Sequence, residues 1–165
     1  MKTRLLVNAT SLALFVATTS IVAQQPAPPK TFTSAAEVVA LIQKAKNDRK
    51  QDQGNFSQSL LRLAPYGANL EYRAGIAPAA VHEKDAELFY VIDGSGTIVT
   101  GGKLVGETRT NAANLSGTAI DGGNSQDVAK GDFLIVPENT PHWFSKINGT
   151  LVLMTLHVPR PVPAP

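Results

Sequence analysis

Glu87-Leu88-Phe89-Tyr90-Val91-Ile92 is the stretch on which the reading of this chain turns. It is rich in aromatic and β-branched residues, as strands are. Asp93-Gly94-Ser95-Gly96 interrupts it, Thr97 to Thr100 follows as a further strand, and Gly101-Gly102 closes that as a hairpin turn. Side chains alternate along a strand, so Glu87, Phe89 and Val91 share one face and Leu88, Tyr90 and Ile92 the other. Both faces are apolar, which predicts a strand buried on both sides. A carboxylate at Glu87 is costly there unless it is paired or holds a metal. It is either a ligand or half of a rim salt bridge with Lys84 or an arginine.

The pattern continues outward in both directions. Downstream, the Gly131-Asp132 turn feeds Phe133 to Val136, the turn Pro137 to Pro141 feeds His142-Trp143-Phe144, and Thr150 to Val158 is a last long strand. Upstream, Ser57 to Leu63 and Asn69 to Arg73 are strands split by Ala64 to Gly67. Many short strands with Gly and Pro turns predict an all-β, antiparallel sandwich or barrel over residues 57–158. No helices alternate with strands after residue 50, which argues against an α/β fold. Residues 107–126 are polar with weak periodicity and read as a long loop or insertion. Residues 159–165 form a proline-rich tail that a central strand excludes.

Ahead of the strands, Ser34 and Glu37 have the spacing of a capping box. Val38, Val39, Leu41 and Ile42 follow as an apolar stripe. Lys44, Lys46, Arg49 and Lys50 lie where the helix dipole favours positive charge. This predicts one amphipathic helix over about residues 35–48, within a helical segment 34–50. Residues 24–33 are a proline-rich linker. Lys2 and Arg4, then an apolar run to Ala23, have the layout of a cleaved secretory leader over residues 1–23, implying a secreted or periplasmic protein. Asn8, Thr10 and Ser11 break that run, so no stable membrane span is expected.

Composition narrows the chemistry. Apolar residues are 43% of the 165, enough for a packed core. The chain has no cysteine, which excludes disulfides, thiolate nucleophiles and Cys-based metal clusters. Its formal charge of +2 vanishes if Lys2 and Arg4 leave with the leader, and no dense basic run remains, so nucleic acid is not an expected partner. No Gly-x-Ser-x-Gly elbow, phosphate loop or dinucleotide fingerprint is present. Asn55, Asn114 and Asn148 open glycosylation sequons.

Two stretches carry a family resemblance. The first runs from Gly75 through His82 and Glu87 to Gly94; the second runs from Gly131 through Pro137 to His142-Trp143-Phe144. Their order and separation resemble the two motifs of the cupin superfamily, over roughly residues 57–158. The resemblance implies a double-stranded β-helix, the jelly-roll or cupin-type barrel. It also implies a metal site of two histidines and a glutamate from the first motif and one histidine from the second. Glu87 and His142 match two of these positions, and His82 supplies one first-motif histidine. The other is missing: Ala80 stands two residues before His82 and Lys84 two after, and His82 matches either family position.

The implied metal set is therefore His82, Glu87 and His142, with one divalent ion, Fe(II), Mn(II) or Zn(II). Three protein ligands leave the open position a catalytic metal needs. His157 is the unused histidine and a candidate fourth ligand. Lys84 is alternatively a cation in place of the metal, and a site that binds nothing is the third reading. Lys84 and Arg73 are candidates for holding an anionic substrate. Trp143 is placed on the face opposite His142, in a dimer contact; the aromatic strands and the helix suggest a homodimer. Three functions follow: a metal-dependent enzyme acting on a small polar molecule, a non-catalytic binder of a sugar or carboxylate, and a structural barrel with a decayed site.

Overall fold

The computed structural model describes residues 27–160. The expected leader, residues 1–23, lies outside the described residues, as do the start of the linker and most of the tail. The helix forms as α1, Ala35–Asp48. Glu37 N–H donates to Ser34 Oγ at 3.2 Å, and Ser34 N–H donates to Glu37 Oε2 at 2.8 Å, so the capping box satisfies two backbone donors reciprocally. Val38, Leu41, Ile42 and the fully buried Ala45 pack against Leu60, Ala68, Leu70, Tyr72 and Val152 of the sheet. Among the described residues, no helix is long and apolar enough to cross a membrane.

The strands are β1 (Asn55–Leu63), β2 (Tyr66–Arg73), β3 (Ala79–His82), β4 (Asp85–Thr100), β5 (Lys103–Val105), β6 (Thr108–Asn111), β7 (Asn114–Gly117), β8 (Ala119–Asp121), β9 (Asn124–Ala129), β10 (Phe133–Val136) and β11 (His142–Pro159). Nine belong to one antiparallel sheet, ordered β1-β2-β11-β3-β7-β6, with β4 joined to β11 and carrying β9 and β10 as branches; β5 and β8 pair separately.

This corrects the expected architecture. Among the described residues the strands do not close into a jelly-roll barrel or double-stranded β-helix; the sheet is open, and β1, β6, β9 and β10 are edges with one partner each. The physical reason lies in short strands. β10 has four residues, cut off by the Gly131 turn and by Pro137, and β3 meets β11 through a single pair, His142 with Ala80. Such strands cannot carry a ladder around a ring.

Three local expectations also change. The stretches 87–92 and 97–100 are one strand, β4. Gly101-Gly102 turns into β5, whose partner is β8, so it closes no hairpin with β4. Residues 107–126 are not a loop but hold β6, β7, β8 and the start of β9. Their periodicity is weak because β7 and β8 are too short to show one and β6 and β9 are mostly exposed, so no apolar face is selected.

β4 and β11 form the spine. They pair antiparallel from Asp85 with Pro159 to Thr100 with His142. On β11, Leu151 and Leu153 join Phe89, Val91, Ile98, Val128, Val136 and Phe144 in one core, while Val152 faces the second core under α1. The ribbon bends at its middle, where the register shifts repeatedly between Phe144 and Leu153. Gly94 sits there with φ +83°, and a Cβ on it would stand 2.0 Å from the Thr150 carbonyl oxygen. Only glycine fits both the backbone angle and the close approach.

Candidate metal centre

The bend brings the two ends of the β4–β11 ribbon together, with β3 beside them. Glu87 near the start of β4, His142 at the start of β11 and His82 at the end of β3 converge; one ligand atom from each lies within 4.8 Å of the others. His142 Nε2 is 3.0 Å from Glu87 Oε2 and His82 Nε2 is 3.3 Å from the same oxygen. The Glu87 side chain is 6% exposed and that of His142 is 8%. These three residues are the candidates singled out from sequence, and the fold assembles them.

Local structure aims each ring. Alternation turns Glu87 to the same face as Phe89 and Val91, both fully buried. The His142 ring packs edge-on to Phe89, which packs edge-on to Phe144, so a wall of aromatic rings holds it. Next to His142, Trp143 Nε1–H donates to the Ala77 carbonyl at 2.9 Å. This contact within the chain fixes the segment leading into β3.

The other ring nitrogens are also committed. His142 Nδ1 lies 3.2 Å from the Thr140 carbonyl oxygen and His82 Nδ1 lies 2.8 Å from Asn114 Oδ1. Both partners accept, so each Nδ1 carries the hydrogen and donates it. Each neutral imidazole then points an Nε2 lone pair at a carboxylate oxygen. Lone pairs facing lone pairs repel unless a cation, either protons or a metal ion, stands between them.

For Glu87, burial opposes ionisation, but hydrogen bonds from His142 and His82 and the charges of His142 and His157 outweigh it. They hold the carboxyl far below the usual carboxylate range. For His82, burial opposes the cation, yet the hydrogen bonds to Glu87 and Asn114 and the charges of Glu87 and Asp85 raise its pKa.

The remaining candidates stand differently. Lys84 is exposed in the turn between β3 and β4, and its carbonyl accepts from Arg160 N–H at 3.0 Å; it is not among Glu87's partners. Arg73 donates from Nε and Nη2 to Glu71 Oε2 at 2.9 and 2.6 Å and lies over the Phe144 ring at 4.7 Å. Its charge is already met by Glu71. His157 Nε2 lies 3.6 Å from Glu87 Oε1. Sequence reading missed Asn114 as a site residue and noticed only a sequon; no signal in the sequence links it to His82, because β7 reaches β3 only through tertiary pairing.

The cluster opens toward solvent at His82 and His157, whose side chains are 19% and 34% exposed. Charged pairs stand nearby in the chain: Arg109 with Glu83 at 2.7 Å, and Arg160 with Glu138 at 2.6 Å. A separate groove of about 600 Å³ lies between α1 and the sheet, lined by Phe32, Val39, Ile42, Tyr90, Ile92 and Met154. It is on the other face of β4 and offers no metal-ligating side chain.

Residues 42–158 match the family described as Cupin. No curated protein matches the sequence. Among solved structures, a Bacillus halodurans protein, BH2720, aligns with TM-score 0.51 and 15% identity over 82% of this chain and 86% of its own. The Fe(II) form of HppE aligns with TM-score 0.51 and 14% identity over 67% of this chain, which spans 54% of HppE. The cupin domain of Schizosaccharomyces pombe Cnp3 aligns with TM-score 0.49 and 13% identity, covering 70% of this chain and 72% of that domain. At these identities the likeness is one of fold.

Proposed function

The chain belongs to the cupin family, and from that premise we propose that it is a divalent-metal-dependent enzyme acting on a small polar organic molecule. His82, Glu87 and His142 hold the ion. The observation that carries this reading is convergence: Nε2 of His82 and of His142 stand 3.3 and 3.0 Å from one buried carboxylate oxygen, with both Nδ1 atoms hydrogen-bonded elsewhere. Two nitrogens and a carboxylate oxygen suit Fe(II), Mn(II) or Zn(II). An ion bound there supplies Lewis acidity toward a substrate oxygen.

The protein's own contribution is orientation and exclusion of water. Asn114 and the Thr140 carbonyl fix two rings, and Phe89 and Phe144 make the inner wall apolar. A small polar substrate reaches the ion from the side on which His82 and His157 are part-exposed. Arg73, neutralised by Glu71, is left out of substrate binding.

The test is elemental mass spectrometry on the full chain, purified without a metal-affinity tag, beside Glu87→Ala and His142→Ala. About one ion per chain, lost in both variants, is the expected result. No ion after incubation with Fe(II), Mn(II) or Zn(II) overturns the reading. A metal-loaded chain that binds small organic acids or sugars without turnover reduces it to a binding protein.

A further inference from the structure

The first-motif strand supplies one histidine. Ala80 shares the His82 face of β3 by alternation and pairs directly with His142, so the position beside His142 carries only a methyl group. Lys84 points to solvent. The site is short of one nitrogen on that side.

On the other side stands His157. It pairs with Glu87 across the β4–β11 ladder, so their side chains are direct neighbours on one face. Its alternation with the buried Leu151, Leu153 and Thr155 turns it inward. Its Nε2 is 3.6 Å from Glu87 Oε1, and its ring lies edge-on to His82 with centroids 4.6 Å apart. Two donors each about 2.1 Å from a shared ion stand roughly 3.0–3.4 Å apart at right-angled to tetrahedral geometry. The contacts of His82, His142 and His157 with Glu87 span 3.0–3.6 Å, close to that spacing.

We propose that His157 is the fourth ligand, so that the last strand replaces the histidine missing from the first motif. This rests on the metal reading above. β11 then supplies a histidine from each of its ends, and the ribbon bend becomes a condition for metal binding. His157 is the most exposed of the three rings, which places it on the rim where a substrate enters.

The experiment uses Co(II) with the full chain and exploits the absence of cysteine. In His157→Cys, a thiolate-to-cobalt charge-transfer band in the near ultraviolet arises only if residue 157 touches the ion. The expected result is that band, together with a loss of about tenfold or more in Co(II) affinity and an altered visible spectrum in His157→Ala. A cobalt-loaded cysteine variant without the band overturns the inference, whatever its affinity, and leaves the metal reading standing. A native chain that takes up no cobalt or other divalent ion overturns the metal reading instead. If the cysteine variant fails to fold, Cu(II) hyperfine structure decides between native chain and His157→Gln. Three coupled imidazoles falling to two supports the assignment, and two in both overturns it.

Discussion

His142 Nε2 lies 3.0 Å from Glu87 Oε2, although the two residues stand at opposite ends of one antiparallel ladder. Glu87 is paired with His157, and His142 with Thr100. A straight strand from Glu87 to Thr100 would span about 40 Å at about 3.3 Å per residue. The contact therefore exists only because the ribbon doubles back, and the candidate site measures the bend as much as the side chains.

Gly94→Ala tests the bend. The substitution must adopt φ +83° and place a methyl group against the Thr150 carbonyl. We expect a loss of about 2–4 kcal/mol in stability, read by urea unfolding, with metal uptake lost in parallel. A variant with native stability would show that the bend does not depend on this glycine.

Asn114 acts through His82. Asn114→Ala removes the acceptor for Nδ1–H and frees the ring to change tautomer. Metal affinity should fall about 10–100-fold, with little change in the circular dichroism spectrum. Asn114→Asp keeps an acceptor and should restore most of the affinity. Equal affinities in all three chains would remove Asn114 from the site.

The acid–base balance of the cluster gives a pH prediction for the metal-free chain. The Glu87 carboxyl is held below its ordinary value of 4.5, so its stabilising contribution is present above that value and is lost as pH falls. His82 is raised above its ordinary 6.5, so its contribution is full below 6.5 and is lost as pH rises through the folded value. The cluster should stabilise the metal-free fold most between these limits. Denaturant midpoints across pH 3–9, native against His82→Ala, check this; parallel curves contradict it. Metal affinity should move the other way at the upper limit, rising with pH as the competing proton leaves His82.

Glu87→Gln keeps the shape and removes the charge. Metal uptake should be abolished, and the metal-free chain should lose about 1–3 kcal/mol near pH 6, where the carboxylate and its histidine partners support one another. Titration calorimetry and urea unfolding read the two effects separately.

Ser34→Ala is the control remote from the site. It removes a cap that satisfies the Glu37 N–H and should cost about 0.5–2 kcal/mol while leaving metal affinity unchanged. A change in affinity would mean that α1 couples to the centre through the sheet.

Several features are legible from the residues alone because they depend on short-range order. The capping box and apolar stripe define α1 at Ala35–Asp48, and the β-branched and aromatic run defines the start of β4. The two motifs carry the family and His82, Glu87 and His142, since each motif is a local turn-and-strand pattern. Closure into a barrel was not legible. It depends on whether edges find partners, and the partners of β9 and β10 stop at β4. The strands within 107–126 were hidden because β7 and β8 are too short, and β6 and β9 too exposed, to bear an alternating pattern. Two relationships belong wholly to the tertiary structure: Asn114 on His82 and His157 on Glu87. The sequence determines which side chains can ligate a metal and which faces they share. Which of them meet is decided by strand pairing and by the bend at Gly94, because residues far apart along the chain become neighbours only when the backbone is fixed by hydrogen bonds made elsewhere.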